Sequence, residues 1–226
     1  MPAGPPQEDG GGGRPSGRPA RATHWEHGEQ RPEGVHHPTN APRWRSVRSS
    51  APPRGRVLIA AAIIATRVRE LAAAVDAAYP DIARPLRLVC VLKGSLIFTA
   101  DLCRALTVPV EIDTIAVRSY NGAEQPTGDV ELVKDVGSSL RDRDVLIVED
   151  IIDTGLTTSF LYEHVARHQP RSLRLVTLLD KPARRVRQVR IDFCGFVIDD
   201  HFVVGYGLDH AERWRSLPDL WVMESP

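Results

Sequence analysis

Three carboxylates and a run of small hydroxyl residues share one short stretch, Glu149-Asp150-Ile151-Ile152-Asp153-Thr154-Gly155-Leu156-Thr157-Thr158. Amides at the start of a helix lack intrahelical partners and lie at the positive end of its dipole, so they bind phosphate. The threonine hydroxyls add donors, and Gly155 permits close backbone approach. Carboxylates beside such a cradle can accept hydrogen bonds from sugar hydroxyls or hold a hard divalent cation. The combination reads as a site for a metal-bound, phosphorylated sugar. Leu156 stands after the glycine where a P-loop carries lysine, which argues against an ordinary nucleoside triphosphatase. Adjacent strand residues point to opposite sides, so Glu149 and Asp150 are not expected to chelate one ion symmetrically. As the strand ends, both can reach ribose hydroxyls or metal-bound water; an N-cap or helix-dipole role is the alternative. Asp153 is better placed as a base, in the loop facing the sugar's reacting carbon.

Such a cradle needs rigid elements around it. Val145 to Val148 has the apolar pattern of a parallel strand covered on both faces, and it runs straight into the carboxylates. The helix that follows continues through Phe160, Leu161 and Val165 to about His168, with Pro170 beyond. Upstream, order begins at Val57-Leu58-Ile59. Ile64, Val68, Leu71 and Val75 recur at helical spacing, on a helix that ends at Tyr79 before Pro80. Leu86 to Leu92 reads as a strand, followed by Lys93-Gly94-Ser95 and a helix through Leu106. Val110 to Val117 is a further strand. Asn121-Gly122, Pro126 and Gly128 make 119–129 a mobile loop or hairpin end, with a short strand at Val130 to Val133. Leu173 to Leu179 is another strand, ending in Asp180-Lys181-Pro182. Phe193 to Ile198 and Phe202 to Tyr206 are β-rich, and Trp214 and Trp221 follow.

Strands alternating with helices predict an α/β fold with a doubly wound, mainly parallel sheet. Such sheets bind ligands at the carboxyl ends of their strands. Lys93, Glu149, Asp150, Asp153 and Lys181 all fall at those ends. Taken alone, Lys93 could equally be an ordinary exposed lysine; the convergence gives it meaning.

Composition narrows the class. The chain has 226 residues, 42% of them hydrophobic, which is enough for one substantial domain. Lys+Arg and Asp+Glu number 29 each, so no overall field favours nucleic acid or basic partners. Cys90, Cys103 and Cys194 are odd in number and far apart, the pattern of buried free thiols in a reducing compartment. No apolar run approaches the roughly 20 residues of a membrane span, and no secretory signal opens the chain. A cytoplasmic protein without membrane partners is expected. Residues 1–55 hold more than half of the glycines and prolines and few aliphatic residues, so they read as a disordered tail preceding a domain over 56–226. His24, His27, His36 and His37 lie in that tail, where no rigid element holds them for metal binding. Translation starting near Val47 or Val57 is the competing expectation for the tail. Peptides from residues 1–45 in native protein would exclude it.

The stretch Val145 to Thr158 resembles the phosphoribosyl-pyrophosphate-binding motif of type I phosphoribosyltransferases, and more narrowly of the hypoxanthine (hypoxanthine-guanine) phosphoribosyltransferases. Leu92-Lys93-Gly94-Ser95, Ser119-Tyr120 and Leu178-Leu179-Asp180-Lys181-Pro182 resemble that family too. So do Phe202-Val203-Val204-Gly205-Tyr206-Gly207-Leu208-Asp209, Arg215 and Leu217-Pro218, all in family order. The resemblance implies the type I fold with a small β-rich hood. It implies salvage of hypoxanthine or guanine with 5-phosphoribosyl 1-pyrophosphate and Mg²⁺, and assembly as a dimer or tetramer.

Residue by residue, the resemblance assigns the ribose hydroxyls to Glu149 and Asp150, which are also candidate metal ligands. It assigns the 5′-phosphate to Thr154, Gly155, Leu156 and Thr157, and makes Asp153 the general base at the purine's imidazole ring. Lys181 should donate to the 6-oxo group, Phe202 stack on the base, and the Val203 backbone read the pyrimidine edge. Asp209 should ligate Mg²⁺ on the pyrophosphate side, with Lys93, Gly94 and Arg215 nearby. Ser119 and Tyr120 should ride on a loop that closes, and the Leu92-Lys93 peptide should be cis. Ile198-Asp199-Asp200-His201 replaces the family's proline-bearing turn. His210 stands where an aromatic is usual, and Trp214 precedes Arg215; these departures bear on base preference. A phosphoribosyltransferase-fold regulator that binds nucleic acid would need only the sugar-phosphate loop. Asp153, Lys181, Phe202 and Asp209 together favour an enzyme over it. A transferase acting on xanthine or a pyrimidine is the remaining alternative.

Overall fold

The computed structural model describes residues 53–119 and 130–224. The first strand is β1 (Gly55–Ile59), followed by helix α1 (Ala61–Ala78) and strand β2 (Leu86–Leu92). Helix α2 (Leu96–Ala105) leads to β3 (Val110–Ser119) and β4 (Val130–Lys134), then to β5 (Asp144–Ile152) and helix α3 (Leu156–Ala166). Strand β6 (Ser172–Asp180), a single 3₁₀ turn at Pro182–Arg184, and strands β7 (Phe193–Val197), β8 (Val203–Val204) and β9 (Leu220–Met223) complete the chain.

Six strands form one sheet in the order β4-β3-β2-β5-β6-β7. All its pairings are parallel except that of β3 with β4. Alternation along the central strands explains how both faces are covered. Leu88, Leu146 and Val148 face α1 and α2, while Val89, Val145 and Ile147 face the layer that holds Leu161 and Val165 of α3. Val145 to Val148 are fully buried, as their uninterrupted apolar run requires. The predicted α1 face is also correct, since Ile64, Val68, Leu71 and Val75 are all buried. Each such side chain contributes on the order of 1.5–3 kcal/mol.

Two boundaries beside the site differ from expectation. Strand β5 does not stop at Val148 but runs on to Ile152, because Glu149, Ile151 and Ile152 keep pairing with β6. Helix α3 starts at Leu156 rather than Thr154, because Gly155 takes a left-handed conformation, φ 81°, that turns the chain into it. The β-rich C-terminal region also divides. Phe193–Val197 joins the large sheet through β6, whereas β8 pairs with β9 and β9 with β1 in a separate antiparallel sheet, the hood. Residues 1–52 of the expected tail and the loop apex with Tyr120 lie outside the described residues, whereas Gly55, expected to end the tail, already opens β1.

Candidate active site

The sheet opens where the site was expected. From β2 the chain winds outward to β3, and from β5 it winds the other way to β6 and β7, so the strand order reverses between β2 and β5. Their pairing ends at Cys90 with Val148, while β5 continues beyond on β6 alone. Glu149, Asp150 and Ile151 therefore border a crevice on the β2 side, the usual ligand position in such sheets, while Ile152 turns into the core. A cleft of about 300 Å³ occupies that crevice. Lys93, Gly94, Glu149, Asp150, Asp153, Thr154, Gly155, Thr157, Asp209 and Arg215 all line it. Leu156 starts α3 beside it. Ser119 ends β3 opposite Val130, with Val117 of the same strand reaching the cleft.

The turn after β2 is built around close backbone contacts. The Leu92-Lys93 peptide is cis, as the resemblance implied. A Cβ on Gly94 would fall 1.8 Å from Asp150 Oδ2, so this backbone lies directly against the carboxylate. Gly207 closes the other side. Its φ is 104°, and a Cβ there would meet the Gly94 carbonyl at 2.1 Å. Both glycines are needed for the hood to touch the strand ends.

Glu149 and Asp150 do not diverge as simple strand alternation predicts. Both line the same cleft, close enough for the two carboxyls to act on each other. Burial and the neighbouring Asp150 charge push the Glu149 carboxyl well above its ordinary value, and burial pushes Asp150 up as well. No salt bridge reaches either carboxylate among the described residues. Two hard carboxylates held together without a salt bridge suit a divalent cation; Asp209 lines the same cleft, with its carboxylate paired to Arg215. The cost of ionising Glu149 has a testable sign. Its folded-state value is raised, so the folded protein loses stability as pH rises above the ordinary glutamate range near 4.3. Glu149→Gln should therefore raise the Tm of ligand-free protein at pH 7.5 by roughly 2–5 °C, and by less at pH 5. A scanning-calorimetry Tm that is unchanged or lower at pH 7.5 would contradict this.

The turn before α3 is the stretch expected to cradle a phosphate. The Thr154 carbonyl accepts from the Val186 and Arg187 amides at 2.9 and 3.0 Å, which fixes the loop from beneath. Gly155 has no side-chain cap to offer, so the first amides of α3 stay open to an anion apart from a long 3.4 Å contact of the Leu156 amide with Thr154 Oγ1. The space beside the Gly155 Cα is filled by the Arg187 carbonyl, which a Cβ would meet at 2.2 Å. Gly155 thus serves the turn and its packing rather than approach to the anion.

The base side lies next to this cleft. Lys181 is buried, with Nζ 2.9 Å from Asp200 and 3.8 Å from Asp153. Arg184 reaches Asp153 at 3.5 Å. Lys181 holds the Asp200 carboxyl below its ordinary value. Asp153 Oδ1 is buried yet accepts no hydrogen bond among the described residues. Phe202 is 54% exposed, edge-on to His210 at 5.3 Å, and His210 stacks on Trp214. Val203 is buried in the hood opposite Val222.

On the pyrophosphate side, Arg215 pairs with Asp209 at 2.7 Å and donates to the Gly207 carbonyl at 2.8 Å. Glu212 was not anticipated. It takes Lys93 at 3.2 Å and Arg215 at 3.5 Å, and its amide donates to Asp209. The Lys93–Glu212 pair is exposed and therefore weak enough for an incoming anion to displace. Ala211, Glu212 and Trp214 all have positive φ, a costly backbone for residues other than glycine and one that concentrates at ligand sites. Glu212 and Asp200 carry no motif of their own; only their proximity to the predicted cations gives them roles.

Comparison with known proteins agrees with this geometry. The phosphoribosyl transferase domain family matches residues 58–211. Hypoxanthine phosphoribosyltransferase of Salmonella typhimurium is 46% identical over 162 residues, which covers 72% of this chain and 91% of that one. Hypoxanthine-guanine phosphoribosyltransferase of Bacillus subtilis is 44% identical, covering 75% of this chain and 93% of the relative. The structure of Trypanosoma cruzi hypoxanthine phosphoribosyltransferase in complex with the product IMP superposes with a TM-score of 0.69 at 40% identity, covering 74% of this chain and 93% of that one. The likeness thus spans most of the chain in sequence and in three dimensions, and the chain belongs to the hypoxanthine phosphoribosyltransferases of the phosphoribosyltransferase family.

Proposed function

We propose that this chain joins hypoxanthine or guanine to 5-phosphoribosyl 1-pyrophosphate, giving IMP or GMP and pyrophosphate. The observation that carries the reading is the place of Asp153, which lines the sugar-phosphate cleft and faces the buried Lys181. A purine lying across that junction would present its imidazole ring to Asp153 and its 6-oxo group to Lys181.

Each residue then has a defined task. The open amides and hydroxyls of Thr154 to Thr157 hold the 5′-phosphate, and Glu149 and Asp150 accept from the ribose hydroxyls. One imidazole nitrogen forms its bond to the ribose carbon as the bond to pyrophosphate breaks, and the ring proton passes to Asp153. Lys93 and Arg215 offset the charge that grows on the departing pyrophosphate. Asp209, Glu149 and Asp150 would hold Mg²⁺, which would supply further neutralisation of that charge. Phe202 offers an exposed ring to stack on the base, and the Val203 backbone reads its pyrimidine edge. Water must be excluded, because the ribose centre is oxocarbenium-like when pyrophosphate leaves. Ser119 and Tyr120 are proposed to take part in that exclusion.

The domain extends over 56–226, and its working form is a cytoplasmic homo-oligomer, a dimer or tetramer, with no nucleic-acid partner. Among the described residues no helix is long and apolar enough to cross a membrane. The test is product formation by purified protein with Mg²⁺ and the sugar pyrophosphate. IMP from hypoxanthine and GMP from guanine are expected; no product from either base would contradict the proposal.

A further inference from the structure

One cluster of ligand-type side chains lies outside the cleft. His164 and His168 are four residues apart on the last turn of α3 and just beyond it, so both rings project from one side of the helix. Their centroids are 5.3 Å apart. Asp135, the first residue after β4, comes from a different element and lies 2.9 Å from His164 Nε2. One ligand atom from each of Asp135, His164 and His168 lies within 4.8 Å of the other two.

We infer that Asp135, His164 and His168 form a binding site for Zn²⁺ or a similar borderline divalent cation, separate from the Mg²⁺-type carboxylate site. The donor set supports that choice. Two imidazoles and one carboxylate, with water completing a tetrahedron, suit zinc and are softer than the all-oxygen set of the cleft. The His168 ring makes no hydrogen bond or ion pair among the described residues, its backbone amide donating to the Val165 carbonyl, so a ring nitrogen is open to a metal. Asp135 is partly exposed, at 43% of its side chain, which leaves a path for the ion. The C-terminal end of a helix also favours a cation. Phe160 stacks on His164 and limits the freedom of the ring.

The site is distinct from the reaction centre. His164 is eight residues along α3 from Leu156, about 12 Å from the phosphate cradle at the helix's other end. A bound ion would tie the end of β4 to α3, two elements otherwise joined here by the His164–Asp135 hydrogen bond. Its effect should therefore be on stability, not on the chemical step.

The test uses the full chain, stripped with a chelator and titrated with Zn²⁺ in a calorimeter. A millimolar excess of Mg²⁺ keeps the cleft carboxylates occupied. One Zn²⁺ per chain should bind with micromolar or tighter affinity and raise Tm. His168→Ala leaves the Asp135–His164 contact intact and should fold normally, yet lose Zn²⁺ affinity by roughly 100-fold. Substituting Co²⁺ should give the visible absorption of a tetrahedral site in the wild type and not in His168→Ala. Equal Zn²⁺ affinity in the two proteins would overturn the inference and place the ion elsewhere, for instance on the histidines between His24 and His37. Failure of the wild type to bind micromolar Zn²⁺ would overturn it as well.

Discussion

Asp153→Asn should lower kcat by roughly 100-fold or more, the lower range for loss of a positioned general base, while changing the affinity for 5-phosphoribosyl 1-pyrophosphate by less than about threefold. The asymmetry follows from the placement of the residue. Its Oδ1 is buried, accepts no hydrogen bond among the described residues, and belongs to a side chain only loosely approached by Lys181 and Arg184. An acceptor in that state is ready to take a proton from the purine ring. Asparagine keeps the shape and fills the same volume but presents no base. On the proposed assignment the sugar phosphate is held by Thr154 to Thr157 and by Glu149 and Asp150, none of which changes. A loss of about 3 kcal/mol in transition-state stabilisation, with binding almost intact, is the signature of an interaction made chiefly during proton transfer. Single-turnover kinetics paired with calorimetric binding would read both quantities. An undiminished rate would remove Asp153 from its role, and equal losses in rate and binding would reassign it to holding the sugar.

Lys181→Ala should reduce kcat/KM for hypoxanthine and guanine by roughly 10- to 100-fold, the range for losing a hydrogen bond from a charged donor. It should not reduce kcat/KM for adenine, which offers no 6-oxo acceptor. The structure adds a competitor to this account. Asp200 holds Lys181 Nζ at 2.9 Å, so an oxopurine must share or displace that carboxylate. Because Asp200 is exposed at its side chain and Lys181 is not, the carboxylate can swing to water while the ammonium remains aimed at the base. Asp200→Ala should then lower KM for hypoxanthine modestly. The ammonium is buried, so Lys181→Ala also removes a partner from Asp153 and costs some stability. The ratio of kcat/KM between hypoxanthine and adenine is insensitive to that loss. An unchanged ratio would count against the assigned contact.

Much of this was readable from the chain, for a physical reason. The α1 face and the buried runs of β2, β5 and β6 are local patterns, and local patterns survive into the fold. Lys93, Glu149, Asp150, Asp153 and Lys181 were found because each falls toward a strand end, and the chain order of strands and helices fixes where those ends gather; Asp209 and Arg215 were found only through the family resemblance. What was missed depends on pairings distant in sequence. The extension of β5 through Glu149 and Asp150 is sustained by β6, which overrides the polar character of those two residues. Strand β9 showed no alternation strong enough to announce it, and its partner β1 lies at the other end of the domain. Glu212 and Asp200 became visible only once Lys93 and Lys181 had positions. His164 and His168 shared a helix in the sequence, but the third ligand-type residue, Asp135, arrives from beyond β4.

The roles proposed for the carboxylates of one short stretch divide, Glu149 and Asp150 toward the sugar and Asp153 toward the base. A crystal structure with IMP bound tests that division most directly. It should show the ribose hydroxyls within hydrogen-bond distance of Glu149 and Asp150, the phosphate on the amides at the start of α3, and the purine between Asp153 and Lys181 with Phe202 against its face. IMP bound with its base on the Lys93 side of the cleft, or with its phosphate away from Thr154 to Thr157, would contradict it.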